Sequence, residues 1–327
     1  MKKKYLIILI ILIVILCGIG VSLFWVFQEK EKTPVLTEEQ KLTEQGIHLV
    51  NKENFTKDAN TLLEKGYSAD EINQIYEYMS DKNITKILAS DYIDLSEFYQ
   101  ISNFDFDKID RYLAYQTSQG IEMKQAVTEV NLNLDTDFYT NIETIEDPSS
   151  ITVLVNKFHA LPADYVPDDL ISIPSFPNLQ IKDDAAEDFE ALLAAAKLDN
   201  VIIIPYSTYR SYDYQQGLYN KYLQTDSQEE VDTYSARPGH SEHQTGLALD
   251  VRSSSHWSNL TDSDYEWMLN NSYKYGFIVR YPKDNSRITG YQEEPWHLRY
   301  IGIEHATKVH ELGITFDEYY DLYLTEH

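Results

Sequence analysis

Ser235-Ala-Arg-Pro-Gly-His-Ser-Glu-His-Gln-Thr-Gly-Leu-Ala-Leu-Asp-Val251 is the stretch on which the reading of this chain turns. Its last six residues, Gly246 to Val251, alternate as a strand does: Leu247, Leu249 and Val251 take one face, Ala248 and Asp250 the other. A carboxylate therefore points away from the apolar side with only a methyl group beside it. His243 lies seven residues before that carboxylate, just ahead of Gly246.

A second strand is expected at Trp296 to Ile301 (WHLRYI), where His297 faces opposite to Trp296 and Leu298. Two imidazoles and one carboxylate, His243, His297 and Asp250, make a three-ligand set with a fourth position for water, the pattern of catalytic rather than structural zinc. Glu294 stands three residues before His297 and is placed as a general base beside the metal. Arg210, in Tyr209-Arg-Ser-Tyr212 after a buried strand, is a candidate for holding a substrate carboxylate or a developing oxyanion. His240 forms an H-x-x-H with His243.

Working outward, an α+β domain is expected from about residue 148 to 327. A break at Glu146-Asp-Pro-Ser-Ser150 precedes a β-branched run, Ile151 to Val155, read as its first strand. Helices are expected over 184–198, 215–224, 263–275, 303–312 and 316–324, with a buried strand at 201–204.

Upstream, residues 52–147 carry a weak repeat. Tyr67 to Tyr78 aligns with Phe104 to Tyr115, 37 residues later, and Ser68 or Asp105 sits where a helix N-cap belongs. The region reads as an all-α spacer whose tyrosines are mainly core. Residues 28–51 are polar and form a tether, helical near Leu42.

The first 27 residues hold Lys2, Lys3 and Lys4 followed by 23 uncharged positions, Tyr5 to Phe27. That length spans a hydrocarbon core of roughly 30 Å as a helix. An uncleaved anchor is expected, with the lysines cytoplasmic and the rest of the chain outside. A cleaved signal peptide would want an A-x-A-like site, and a lipoprotein signal a small residue before Cys17 rather than Leu16.

Cys17 is the only cysteine, so no disulfide or thiolate ligand serves the exported part. A formal net charge of −26 argues against nucleic acid as a partner.

Three motifs together carry a resemblance. The run Ser235 to Val251, the earlier Tyr209-Arg-Ser-Tyr-Asp-Tyr-Gln215 and the later Glu294-Pro-Trp-His297 resemble the D-alanyl-D-alanine carboxypeptidase family of zinc peptidases. That group includes the vancomycin-resistance carboxypeptidases and shares its fold with the hedgehog signalling domain. The likeness runs over roughly residues 150–315 and omits 28–147.

It implies a small antiparallel sheet with flanking helices and one zinc ion on His243, Asp250 and His297. It further implies Glu294 as the base that activates water, and Arg210, Gln215 and Ser241 as contacts to the substrate's end. His240 is then no ligand, and Arg237 a variable site. The activity implied is removal of the terminal D-alanine from peptidoglycan stem peptides. Its alternatives are an L,D-carboxypeptidase acting on tetrapeptide stems and a non-catalytic zinc-dependent binding module. Docking of the helical spacer to a wall-synthesis protein is a further expectation.

Overall fold

The computed structural model describes residues 36–90, 95–253 and 260–325. The expected membrane-spanning helix over 5–27 lies outside them; among the described residues no helix is long and apolar enough to cross a membrane. The described residues fall into two compact units, divided between Tyr99 and Gln100.

In the described part of the first unit, four helices follow one another: Glu38–Glu44, Phe55–Lys65, Ala69–Tyr78 and Asp81–Ala89. Thr37 and Ser68 each close a capping box with the residue three positions on, which satisfies backbone N–H groups the first turn leaves free. Ala59 and Leu62, Ile72 and Ile75, and Ile84 and Ile87 are buried in pairs three residues apart, which gives each of the last three helices one apolar face. Tyr67 and Tyr76 are core, as expected, whereas Tyr78 is exposed.

The second unit opens with a hairpin of two helices, Ile109–Gln119 and Met123–Asn131, joined across Gly120 in the left-handed conformation. Asp105 does cap, but it caps the 3-10 turn Phe106–Lys108 rather than an α-helix. This hairpin belongs with the downstream body: Asn103 donates to Asp321 across 2.6 Å, and Arg287 donates to Glu129 across 2.6 Å. The spacer was expected to run to 147, yet residues 100–147 pack with the catalytic part, because their partners lie 150 to 220 positions downstream.

Short strands follow: β1 (Glu143–Thr144) pairs in parallel with β2 (His159–Ala160), and β3 (Leu170–Ile173) makes a hairpin with β4 (Phe176–Lys182). The helix Asp183–Leu198 then lies against a four-stranded antiparallel sheet of β5 (Ile203–Ser207), β6 (Ala248–Ser253), β7 (Phe277–Tyr281) and β8 (Glu294–Tyr300), in the order β5-β6-β8-β7. Phe189, Leu192 and Ala196 of the helix meet Leu247, Leu249, Val251, Phe277 and Leu298 in the main core. The alternation read from Gly246 to Val251 thus buries the three larger residues on the helix side.

Residues 151–155 are not a strand. Val153, Leu154 and Val155 are buried as expected of an apolar run, but the carbonyls of Ile151 and Val153 accept from the Arg299 guanidinium at 3.0 and 2.8 Å. A buried cation satisfies this backbone where a ladder would otherwise be needed.

Candidate active site

Three backbone segments converge on the open face of the sheet. Asp250 on β6 and His297 on β8 are direct cross-strand partners, so their side chains share one face. His243 arrives on the 3-10 turn Glu242–Thr245, which ends at Gly246 with φ +70°. That glycine permits the reversal into β6, and a Cβ there would meet Leu170 Cδ2 at 2.7 Å. The turn is tied to the loop after β5: Arg210 N–H donates to the His243 carbonyl at 3.1 Å, and His243 Nδ1 donates to the Thr208 carbonyl at 2.7 Å.

That last bond fixes the tautomer. It leaves His243 Nε2 as an acceptor, and this atom is buried with no hydrogen-bond partner among the described residues. Nε2 stands 3.3 Å from Asp250 Oδ2, and His297 Nδ1 stands 3.3 Å from Asp250 Oδ1. The three donor atoms lie within 4.8 Å of one another, as ligands of a single ion do. An orphaned imidazole nitrogen, a second imidazole and a carboxylate form a donor set that fits zinc, with His243, Asp250 and His297 brought together as the sequence implied.

The electrostatics agree. Burial, with Arg210 adding to it, holds His243 down to about 4, so it is neutral and ready to ligate. Burial also opposes charge on His297, but its bonds to Asp250 and Glu242 outweigh this and raise it to about 9. Burial would raise Asp250, yet the two imidazoles hold it well below its ordinary value.

Glu294 begins β8, with its carboxylate 3.6 Å from His297 Nδ1. Burial pushes it up to about 7, against the pull of His297 and Arg210. A carboxyl that takes and gives up protons near neutrality suits a general base and acid. Arg210 Nη2 is 3.9 Å from Asp250, and its Nε is buried without a partner among the described residues, so part of its donor set remains for a substrate. Gln215 donates from Nε2 to the Ala236 carbonyl at 2.7 Å and keeps an Oε1 without a partner among the described residues. Ser241, also buried, lines the same cleft, as do Tyr222, Tyr234 and Tyr291.

His240 is no part of the cluster. Its Nδ1 lies 2.8 Å from the Asn156 carbonyl, a structural bond. Arg237 is paired with Asp232 and lies 3.9 Å over the Tyr139 ring.

Sequence reasoning passed over Glu242. Its carboxylate accepts from His297 Nε2 at 3.3 Å and is held by Arg280 and Arg299 at 2.8 and 2.9 Å. The signal was present: Arg299 alternates with His297 on β8, on the face opposite Leu298 and Tyr300.

The sequence profile of VanY, described as D-alanyl-D-alanine carboxypeptidase, matches residues 178–303. YodJ of Bacillus subtilis (strain 168), provisionally named a carboxypeptidase, is 38% identical over 193 residues, covering 55% of this chain and 70% of YodJ. This chain belongs to the VanY D-alanyl-D-alanine carboxypeptidase family. A D-alanyl-D-alanine carboxypeptidase of Enterococcus faecalis (strain ATCC 700802 / V583) is 36% identical over 176 residues, covering 51% of this chain and 64% of that protein. Among solved structures, the LdcB LD-carboxypeptidase is 37% identical with a TM-score of 0.51, covering 56% of this chain and 91% of LdcB. The chain is a metallo-carboxypeptidase, and its three donors are placed for one zinc ion.

Proposed function

We propose that the chain removes the terminal D-alanine from peptidoglycan stem peptides by zinc-dependent hydrolysis. The observation that carries this is Glu294, a buried carboxyl raised to about 7, set 3.6 Å from a ligand nitrogen of the His243–Asp250–His297 cluster. His243, Asp250 and His297 would hold a zinc ion, which would supply Lewis acidity at the scissile carbonyl and make water more acidic.

The protein's own groups do the rest. Glu294 takes the proton from the attacking water and returns it to the departing D-alanine amine. Arg210 holds the substrate carboxylate or the oxyanion through its guanidinium, whose Nε has no partner among the described residues. Gln215 Oε1 and Ser241 line the cleft where the peptide's end would lie. A pure binding module has no use for a titrating carboxyl beside a ligand, which disfavours that alternative.

The likeness to the LdcB LD-carboxypeptidase supports a second reading, removal of D-alanine from tetrapeptide stems. Mass spectrometry of pentapeptide and tetrapeptide stems incubated with the chain separates the two. Loss of one D-alanine from the pentapeptide alone is the expected result; loss from the tetrapeptide alone would replace it with the L,D reading.

The apolar stretch Tyr5 to Phe27 supports anchoring in the cell membrane with the catalytic unit outside. Protease shaving of intact cells is expected to remove that unit, and its survival would count against this placement.

A further inference from the structure

Behind the cluster lies a buried charge quartet whose cost demands an explanation. Glu242, Arg280, Arg299 and Asp317 have side chains exposed by at most 3%, and they balance as two carboxylates against two guanidiniums. Arg280 donates through Nε to Glu242 at 2.8 Å and through Nη1 to Asp317 at 2.6 Å. Arg299 donates through Nη1 to the same Glu242 oxygen at 2.9 Å. Asp317 is held in turn by Asn156 Nδ2 at 2.9 Å. Ion pairs of this kind seldom stabilise a fold better than apolar residues of equal volume, so orientation rather than stability is the role that fits them.

What the quartet orients is His297. The second Glu242 oxygen, Oε2, faces His297 Nε2 at 3.3 Å, while His297 Nδ1 faces Asp250 and Glu294. An acceptor fixed at Nε2 selects the tautomer that turns the Nδ1 lone pair toward the metal position. A carboxylate so placed also makes the imidazole a better donor.

We infer that Glu242 is the positioning residue for His297, held rigid by Arg280 and Arg299. The inference includes Asp317, on the helix Phe316–Tyr323 beyond the stretch matched to the family, as part of the same support. It rests on the zinc-site reading above. Glu242 is not one of the three clustered donors; it acts through the ring it holds.

The test is zinc affinity of the full chain by competition with a chromophoric chelator, alongside far-UV circular dichroism of the metal-free protein. Glu242→Gln is expected to keep the parent's secondary structure and to bind zinc about 10- to 100-fold more weakly. Asp317→Asn, which leaves Glu242 in place but loosens Arg280, is expected to show a smaller loss in the same direction. In ring nitrogen NMR, parent His297 should carry its proton on Nε2 when zinc is bound, and Glu242→Gln should broaden or shift that signal.

Parent-like zinc affinity in a folded Glu242→Gln would overturn the inference. Should Glu242→Gln fail to fold, Asp317→Asn decides: parent-like affinity and an unchanged His297 signal would overturn it equally. A parent chain that binds no zinc would defeat the underlying zinc-site reading instead, so the two failures are distinguishable.

Discussion

Glu294 and His297 are neighbours with opposed proton chemistry, and each yields an expectation. Replacing Glu294 by Gln removes the proton carrier but none of the three ligands. Turnover should therefore fall about 10²- to 10⁴-fold while zinc, measured by atomic emission, stays at one per chain. Loss of the metal together with activity would show that Glu294 supports the ion instead. His297 is raised to about 9 in the metal-free chain, so its protonated form contributes stability that is fully present below its unfolded value near 6.5. That contribution is lost as pH rises through about 9. The metal-free chain should accordingly melt at lower temperature as pH goes from about 6.5 to 9, and zinc affinity should climb over the same range because a proton must leave Nδ1. A melting temperature that rises across this window would contradict the assignment. The ligands were legible because each motif is short and local. Glu242 was not, since nothing marks it out among 53 acidic residues except the placing of Arg299 on the His297 face of β8, and its bonds to Arg280 and Arg299 are long-range.

At the scale of elements, the site depends on how the turn Glu242–Thr245 feeds β6. Gly246 has φ +70°, and an added Cβ would meet Leu170 Cδ2 at 2.7 Å and Lys182 Cγ at 3.1 Å. Gly246→Ala should cost about 1–3 kcal/mol in urea unfolding and should reduce activity, because His243 and Asp250 sit on either side of it. A variant as stable as the parent would mean that the turn relaxes freely. Period-2 alternation made β6 and β8 readable in advance, and the 3.6-residue period did the same for the helices Asp183–Leu198 and Ile303–Leu312. The run Ile151 to Val155 misled for a physical reason: an apolar stretch of five residues records burial, not the source of its hydrogen bonds. Those come from Arg299, 146 or more positions away.

At the scale of the molecule, the boundary between units was the least legible feature. The helices Ile109–Gln119 and Met123–Asn131 share the amphipathic pattern of the helices before residue 99, so local sequence assigns them to the same spacer. Their allegiance is set by pairs far apart in sequence, Asn103 with Asp321, Glu129 with Arg287 and Tyr139 with Tyr291. Tyr139 also stacks on Arg237 and meets Lys157, so residues before 148 help to build the wall behind the cleft. A chain cut to 148–327 should melt about 10 °C or more below one spanning 100–327, since it loses buried pairs and exposes their apolar surroundings. Equal melting temperatures would restore the boundary near 148.

The most direct test of the central claim is a zinc titration of the chelator-stripped chain, with D-alanine release from a pentapeptide stem as the readout. Activity should be absent without metal and should rise to a plateau at one zinc per chain, with no recovery in His243→Ala or His297→Ala. Hydrolysis that survives complete removal of metal, or a chain that binds one zinc at the cluster and cleaves neither stem, would contradict it.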